Sequence, residues 1–181
     1  GANVIASPTV TTSYIVSGST GGCAGLDTAV VTVITPPTNS FTATSPVCAN
    51  TNSTITYTGT GTAAATYNWN FNGGTIISGS GQGPYQINWP SPGTYTVSLD
   101  VTENGCNSGT ATQQVIVNTV PTSTFSMDTA ICTSANANVV YTGSASSGAI
   151  YNWNFGAGSI ISGSGQGPYQ INWAAPGTYN V

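Results

Sequence analysis

Apolar and polar residues alternate along this chain in short runs, and no stretch sustains the 3.6-residue repeat of an amphipathic helix. Tyr95, Val97 and Leu99 alternate with Thr94, Thr96 and Ser98, as in a strand that turns one face to a core. Val115 and Val117 alternate with Gln114 and Ile116 less cleanly. Gly, Pro and Asn interrupt these runs at the spacing of a β-sandwich. The pattern predicts strands over 38–44, 53–58, 66–71, 75–78, 84–89, 93–102 and 109–118. Asn104-Gly105 predicts a tight hairpin, because both residues tolerate positive φ. The fold class is all-β.

A repeat organises these strands. Tyr67-Asn-Trp-Asn-Phe71 returns as Tyr151-Asn-Trp-Asn-Phe155, an offset of 84 residues. Ile76 to Trp89 returns unchanged as Ile160 to Trp173, and Pro92-Gly-Thr-Tyr95 as Pro176-Gly-Thr-Tyr179. Residues 36–97 and 120–181 agree at 34 of 62 positions without a gap, so this is duplication and not a shared composition. Thr12-Ser-Tyr-Ile-Val16 corresponds to Gly93-Thr-Tyr-Thr-Val97, and Cys23 to Cys106 two residues out of step. The expected domains are the end of one module (1–35), a complete module (36–119) and the front of a third (120–181). A half sandwich cannot bury its face, so the chain is expected to be a window on a longer array. Pro36-Pro37 and Val120-Pro121 mark the joints, where proline stiffens the linker and blocks edge pairing.

Tyr67-Asn-Trp-Asn-Phe71 followed by Pro92-Gly-Thr-Tyr-Thr-Val97 resembles the PKD (polycystic kidney disease) domain family, with its Trp-Asp-Phe-Gly strand end and later Pro-Gly-Thr-Tyr-x-Val strand. The resemblance covers the middle module and most of the third. It implies tandem seven-stranded immunoglobulin-like (PKD-like) β-sandwich repeats with a structural or binding role. The family's Asp is replaced by Asn70 and Asn154, and its Gly-Asp-Gly turn by Asn72-Gly73-Gly74 and Gly156-Ala157-Gly158. The Cys before the second strand, with Gly105-Cys106 after the Tyr strand, is further similar to modules of large bacterial surface proteins. Those include SprB-type gliding-motility adhesins exported by the type 9 secretion route. This implies an extracellular place on a bacterial cell surface.

Charge narrows the partners. The chain has no Lys, Arg or His and only four acids, Asp27, Asp100, Glu103 and Asp128. Ordinary domains are about a quarter charged. Nucleic acid is excluded as a partner, because phosphate contacts need Lys or Arg, and so is an anionic membrane surface. No run of 18 apolar residues is present for direct membrane insertion. Isopeptide cross-links are excluded because they need Lys. Neighbouring modules, a surface polysaccharide, or motility and secretion machinery reached through other parts of the protein are the expected partners.

The candidate chemistry is sparse. Catalysis has no constellation: a Ser or Thr without a basic partner is not a nucleophile. No cofactor or metal site is expected, since there is no His and no close Cys pair. Asp100 and Glu103, three residues apart, are the only carboxylate pair that calcium could use. Ser78-Gly-Ser-Gly-Gln-Gly-Pro84 has the glycines of a phosphate loop but neither its Lys nor a following helix, so it reads as a tight turn. Four Cys in an extracellular protein suggest disulfides. In-module pairing joins Cys48 to Cys106 and leaves Cys23 and Cys132 to partners outside the window. The alternative is a staple between modules, such as Cys23 to Cys48. Tyr67, Trp69 and Phe71 share one strand face and read as core. Tyr85 and Trp89, beside Gln86 and Asn88, are the candidates for glycan contact, with core packing as the competing reading. Asp27-Thr28-Ala29 and Asp128-Thr129-Ala130 resemble a short O-glycosylation motif of some bacterial surface proteins and make Thr28 and Thr129 candidate acceptors.

These observations favour a stalk or filament in a large surface adhesin, with gliding motility as its setting. The competing readings are a carbohydrate-binding accessory module of a secreted hydrolase and a fibre- or S-layer-like structural protein.

Overall fold

The structure is a computed structural model, and it describes residues 3–181. The chain divides into two compact units, 1–119 and 120–181. Every regular element among the described residues is a strand.

The first unit opens with a hairpin, β1 (Thr12–Thr20) and β2 (Cys23–Val31), joined at Gly21-Gly22. Both glycines have positive φ, 57° and 84°, which a two-residue hairpin turn requires. The rest of the unit is a two-layer sandwich. Its strands are β3 (Phe41–Ala43), β4 (Val47–Cys48), β5 (Asn52–Tyr57), β6 (Thr66–Asn70), β7 (Thr75–Ser78), β8 (Tyr85–Asn88), β9 (Gly93–Glu103) and β10 (Cys106–Asn118). One sheet runs β3-β5-β8-β7 and the other β4-β10-β9-β6. Labelled A to G, these are the ABED and CFG sheets of an immunoglobulin-like sandwich, with a short piece of the first strand added beside the last.

Strand alternation builds the core. Val97, Leu99 and Val101 of β9 are fully buried, Ser98 and Asp100 between them are half-buried, and Thr96 is exposed. Val115 and Val117 of the adjacent β10, and Ile55 and Ile87 of the other sheet, belong to the same core cluster. Ser53 is the one buried polar side chain here, and its hydroxyl donates to the Thr44 carbonyl at 2.7 Å. The Asn104-Gly105 turn forms as expected, with φ of 50° and 79°.

Two departures from the sequence reading have local causes. The expected first strand, 38–44, is confined to β3, and the chain then crosses to the other sheet as β4. Pro46, lacking an N–H, separates the two pieces. The last strand begins three residues early, at Cys106, because a bulge between Asn107 and Thr110 lets β10 stay paired to the tip of β9.

The second unit repeats one sheet as β11 (Phe125–Met127), β12 (Ala137–Tyr141), β13 (Ser159–Ser162) and β14 (Tyr169–Asn172), in the order β11-β12-β14-β13. Its core is Ala137, Val139, Phe155, Tyr169, Ile171 and Trp173. Residues 150–154, which match β6, are not part of a ladder. In the middle module β6 pairs with residues 98–102 of β9, and the described residues of the second unit contain no strand that matches β9.

Candidate functional site: an aromatic clasp under a glycine loop

Four aromatic side chains of the middle module, Phe41, Trp69, Phe71 and Tyr85, form one cluster. Phe41 meets Trp69 edge-on at 5.1 Å between ring centroids, Trp69 stacks on Phe71 at 5.7 Å, and Tyr85 contacts both. Such pairs add about 0.5–1.5 kcal/mol each beyond the area they bury.

The loop of residues 79–84 closes over this cluster. The Gly81 carbonyl accepts from the Trp69 indole N–H and the Tyr85 hydroxyl, both at 3.1 Å. Gln82 donates from its side-chain amide to the Gly61 carbonyl at 3.2 Å. Within the loop the Gly83 N–H donates to the Ser80 carbonyl at 2.9 Å. The second unit repeats the arrangement: Trp153 and Tyr169 donate to the Gly165 carbonyl at 3.0 and 3.1 Å, and Gln166 to Ala145 at 3.3 Å.

A second polar hub sits at Tyr57. Its hydroxyl donates to the Thr38 carbonyl and accepts from the Gly61 N–H at 2.7 Å, which ties the start of the module to the loop after β5. Tyr141 does the same with Thr122 and Ala145. Burial, with Tyr57 close by, pushes the Tyr67 phenol above its ordinary value, and burial does the same to Tyr85. Tyr151 is also raised, by desolvation and by Tyr141.

Tyr85 and Trp89 are not glycan contacts in this structure. Tyr85 is 7% exposed and Trp89 1%, so neither ring presents a face for a sugar to stack on. The Trp89 indole N–H donates to the Phe71 carbonyl at 3.1 Å, and its ring stacks on Tyr95 at 5.3 Å. The neighbouring amides are engaged with the adjacent strand. Gln86 donates to the Thr54 hydroxyl at 2.8 Å and Asn88 to Asn52 at 3.1 Å.

The in-module disulfide is also corrected. No two of the four Cys are bonded to each other. Cys48 lies beside Asn118 at the end of β10, whereas Cys106 begins that same strand. Twelve strand steps at about 3.3 Å separate the two positions by roughly 35–40 Å. A disulfide needs its Cα atoms within about 7 Å. The Cys106 thiol instead lies 3.8 Å from the Ile34 carbonyl. The staple from Cys23 to Cys48 is not formed either.

Asp100 and Glu103 do not converge. An odd separation puts them on opposite faces of β9. Asp100 accepts from the Asn68 amide at 2.9 Å, and Glu103 accepts from the Thr62 hydroxyl and N–H. Thr28 and Thr129 are exposed, Thr28 on β2 and Thr129 in the segment between β11 and β12. The Asp27 carboxylate accepts from the Thr28 N–H at 2.9 Å, and the Asp128 carboxylate from the Asn138 N–H at 2.8 Å.

A feature missed in the sequence is the stitching of the first strand to the last. Asn39 donates from its amide to the Gly109 carbonyl at 2.8 Å, and Gln113 to the Phe41 carbonyl at 2.6 Å. The Ile116 N–H donates to the Ser45 hydroxyl at 2.9 Å, and the Ala49 N–H to the Asn118 carbonyl at 2.8 Å. These contacts join residues about 70 positions apart, so no local pattern announces them.

Comparison with known families agrees with this geometry. The PKD domain family matches residues 34–117, the span of the complete sandwich. No curated protein matches the sequence.

Proposed function

We propose that this chain is a force-bearing segment of a tandem array of PKD-like modules, a stalk in a large bacterial surface adhesin. PKD domains are non-catalytic immunoglobulin-like modules, typical of extracellular and surface proteins, and the middle module has their all-β sandwich. The observation that carries the proposal is the parallel pairing of β4 with β10. Because the module's first and last segments run side by side in the same direction, its entry and exit lie at opposite ends. Tension along the chain therefore loads their cross-links in shear, together, and does not peel them apart one by one. An array of such units is quasi-one-dimensional, and each module adds length.

A gliding adhesin of the SprB type, exported by type 9 secretion, is the setting this mechanics suits. The carbohydrate-accessory reading loses its platform with the burial of Tyr85 and Trp89. An antibody against residues 36–119, applied to live, unpermeabilised cells of the source organism, tests the proposal. Labelled spots that travel along the cell are the expected result. Label found only in the medium contradicts a surface stalk.

A further inference from the structure

The middle module buries its large apolar side chains with few exceptions. One pair stands out because it recurs. Ile76 and Ile77 are 52% and 55% exposed, and their counterparts Ile160 and Ile161 are 56% and 57% exposed. Each pair lies on an edge strand, β7 or β13, which is hydrogen-bonded to a neighbour on one side only.

Edge strands are ordinarily guarded by Lys, by Pro, by inward charges or by bulges. Thr75-Ile-Ile-Ser78 has none of the first three. A bulge is present between Ile76 and Ser78, but the residue it adds is an isoleucine and not a charge. The module's acids, Asp100 and Glu103, are on β9 in the other sheet. A second copy approaching this edge meets no charge of either sign, even though the whole chain carries a net charge of −4.

We propose that this edge is a side-to-side contact between copies of this chain, in which Ile76-Ile77 of one copy packs on the same strand of another. An exposed strand edge asks for a strand as its partner, and an uncharged isoleucine pair asks for an apolar one. The same strand on a second copy supplies both, and it continues the β3-β5-β8-β7 sheet across a two-fold axis. Four residues a side fall well short of a standard stable interface. One contact is therefore weak, and the chain carries the pair twice, at Ile76-Ile77 and at Ile160-Ile161. This contact is lateral, so it is independent of the axial stalk reading and stands or falls separately from it.

Sedimentation equilibrium of the full chain over a wide concentration range tests the contact. The unaltered chain is expected to show concentration-dependent self-association. Ile77→Lys with Ile161→Lys is expected to weaken it at least about tenfold. Ile116→Lys, at an exposed apolar position away from the edge (47% exposed), is expected to leave it unchanged. Tryptophan fluorescence confirms that each variant stays folded. A chain that remains monomeric throughout overturns the proposal. So does equal weakening by Ile116→Lys, which would mark nonspecific apolar adhesion.

Discussion

Replacing Trp89 by alanine is expected to cost the middle module about 3–5 kcal/mol, the range for truncating a large buried aromatic. Trp89 is 1% exposed, stacks on Tyr95 and satisfies the Phe71 carbonyl through its indole N–H. Alanine leaves a cavity and removes that carbonyl's donor. Gly74 lies against the indole so closely that a Cβ there would come within 2.6 Å of it, which leaves the ring little freedom to relax. Domains of this size are stable by only about 5–15 kcal/mol, so the melting temperature should fall by roughly 15–30 °C. Thermal melting followed by circular dichroism measures this. A loss below about 1 kcal/mol would mean that the indole does not hold the core together.

Gly79→Ala comes next in expected effect. Gly79 has φ of 107°, and a Cβ there would sit 2.4 Å from the Pro84 carbonyl oxygen and 2.7 Å from the Tyr85 Cα. Both neighbours are backbone, so neither can yield cheaply. Strained backbone of this kind costs about 1–3 kcal/mol, and the clash adds to it. The loop carrying the Gly81 carbonyl would shift and disturb its bonds to Trp69 and Tyr85. A destabilisation of about 3 kcal/mol is expected from urea unfolding. Gly81→Ala is the control, because its φ is 54° and nothing lies within 4 Å of a Cβ there. It should cost only the left-handed penalty, about 1–2 kcal/mol. Equal effects at both positions would contradict the tight closure of the loop.

The strands of the sandwich were legible because each carries its own period. Val97, Leu99 and Val101 alternate through β9, and Asn104-Gly105 marks the turn that follows. The split of the first strand was not legible, since it depends on which sheet β4 joins after Pro46. Tyr85 and Trp89 were ambiguous for a different reason. Tyr, Trp, Gln and Asn also furnish sugar sites, and only the neighbouring strand shows that Gln86 and Asn88 are bound to Thr54 and Asn52. The alternation of Tyr85, Ile87 and Trp89 on one face was the available signal for a core role. Spacing alone could not separate Cys48 from Cys106, because the distance between them is set by the length of β10.

The central claim is mechanical, and pulling single molecules by their two ends tests it most directly. The chain is expected to yield in one abrupt event that releases roughly 25–30 nm, the extended length of residues 36–119 less their folded span. Gln113→Ala combined with Ser45→Ala removes two of the cross-links between the first and last segments and should lower the force of that event. Gradual extension at low force, or an event whose force the double variant leaves untouched, would contradict a module loaded in shear between β4 and β10.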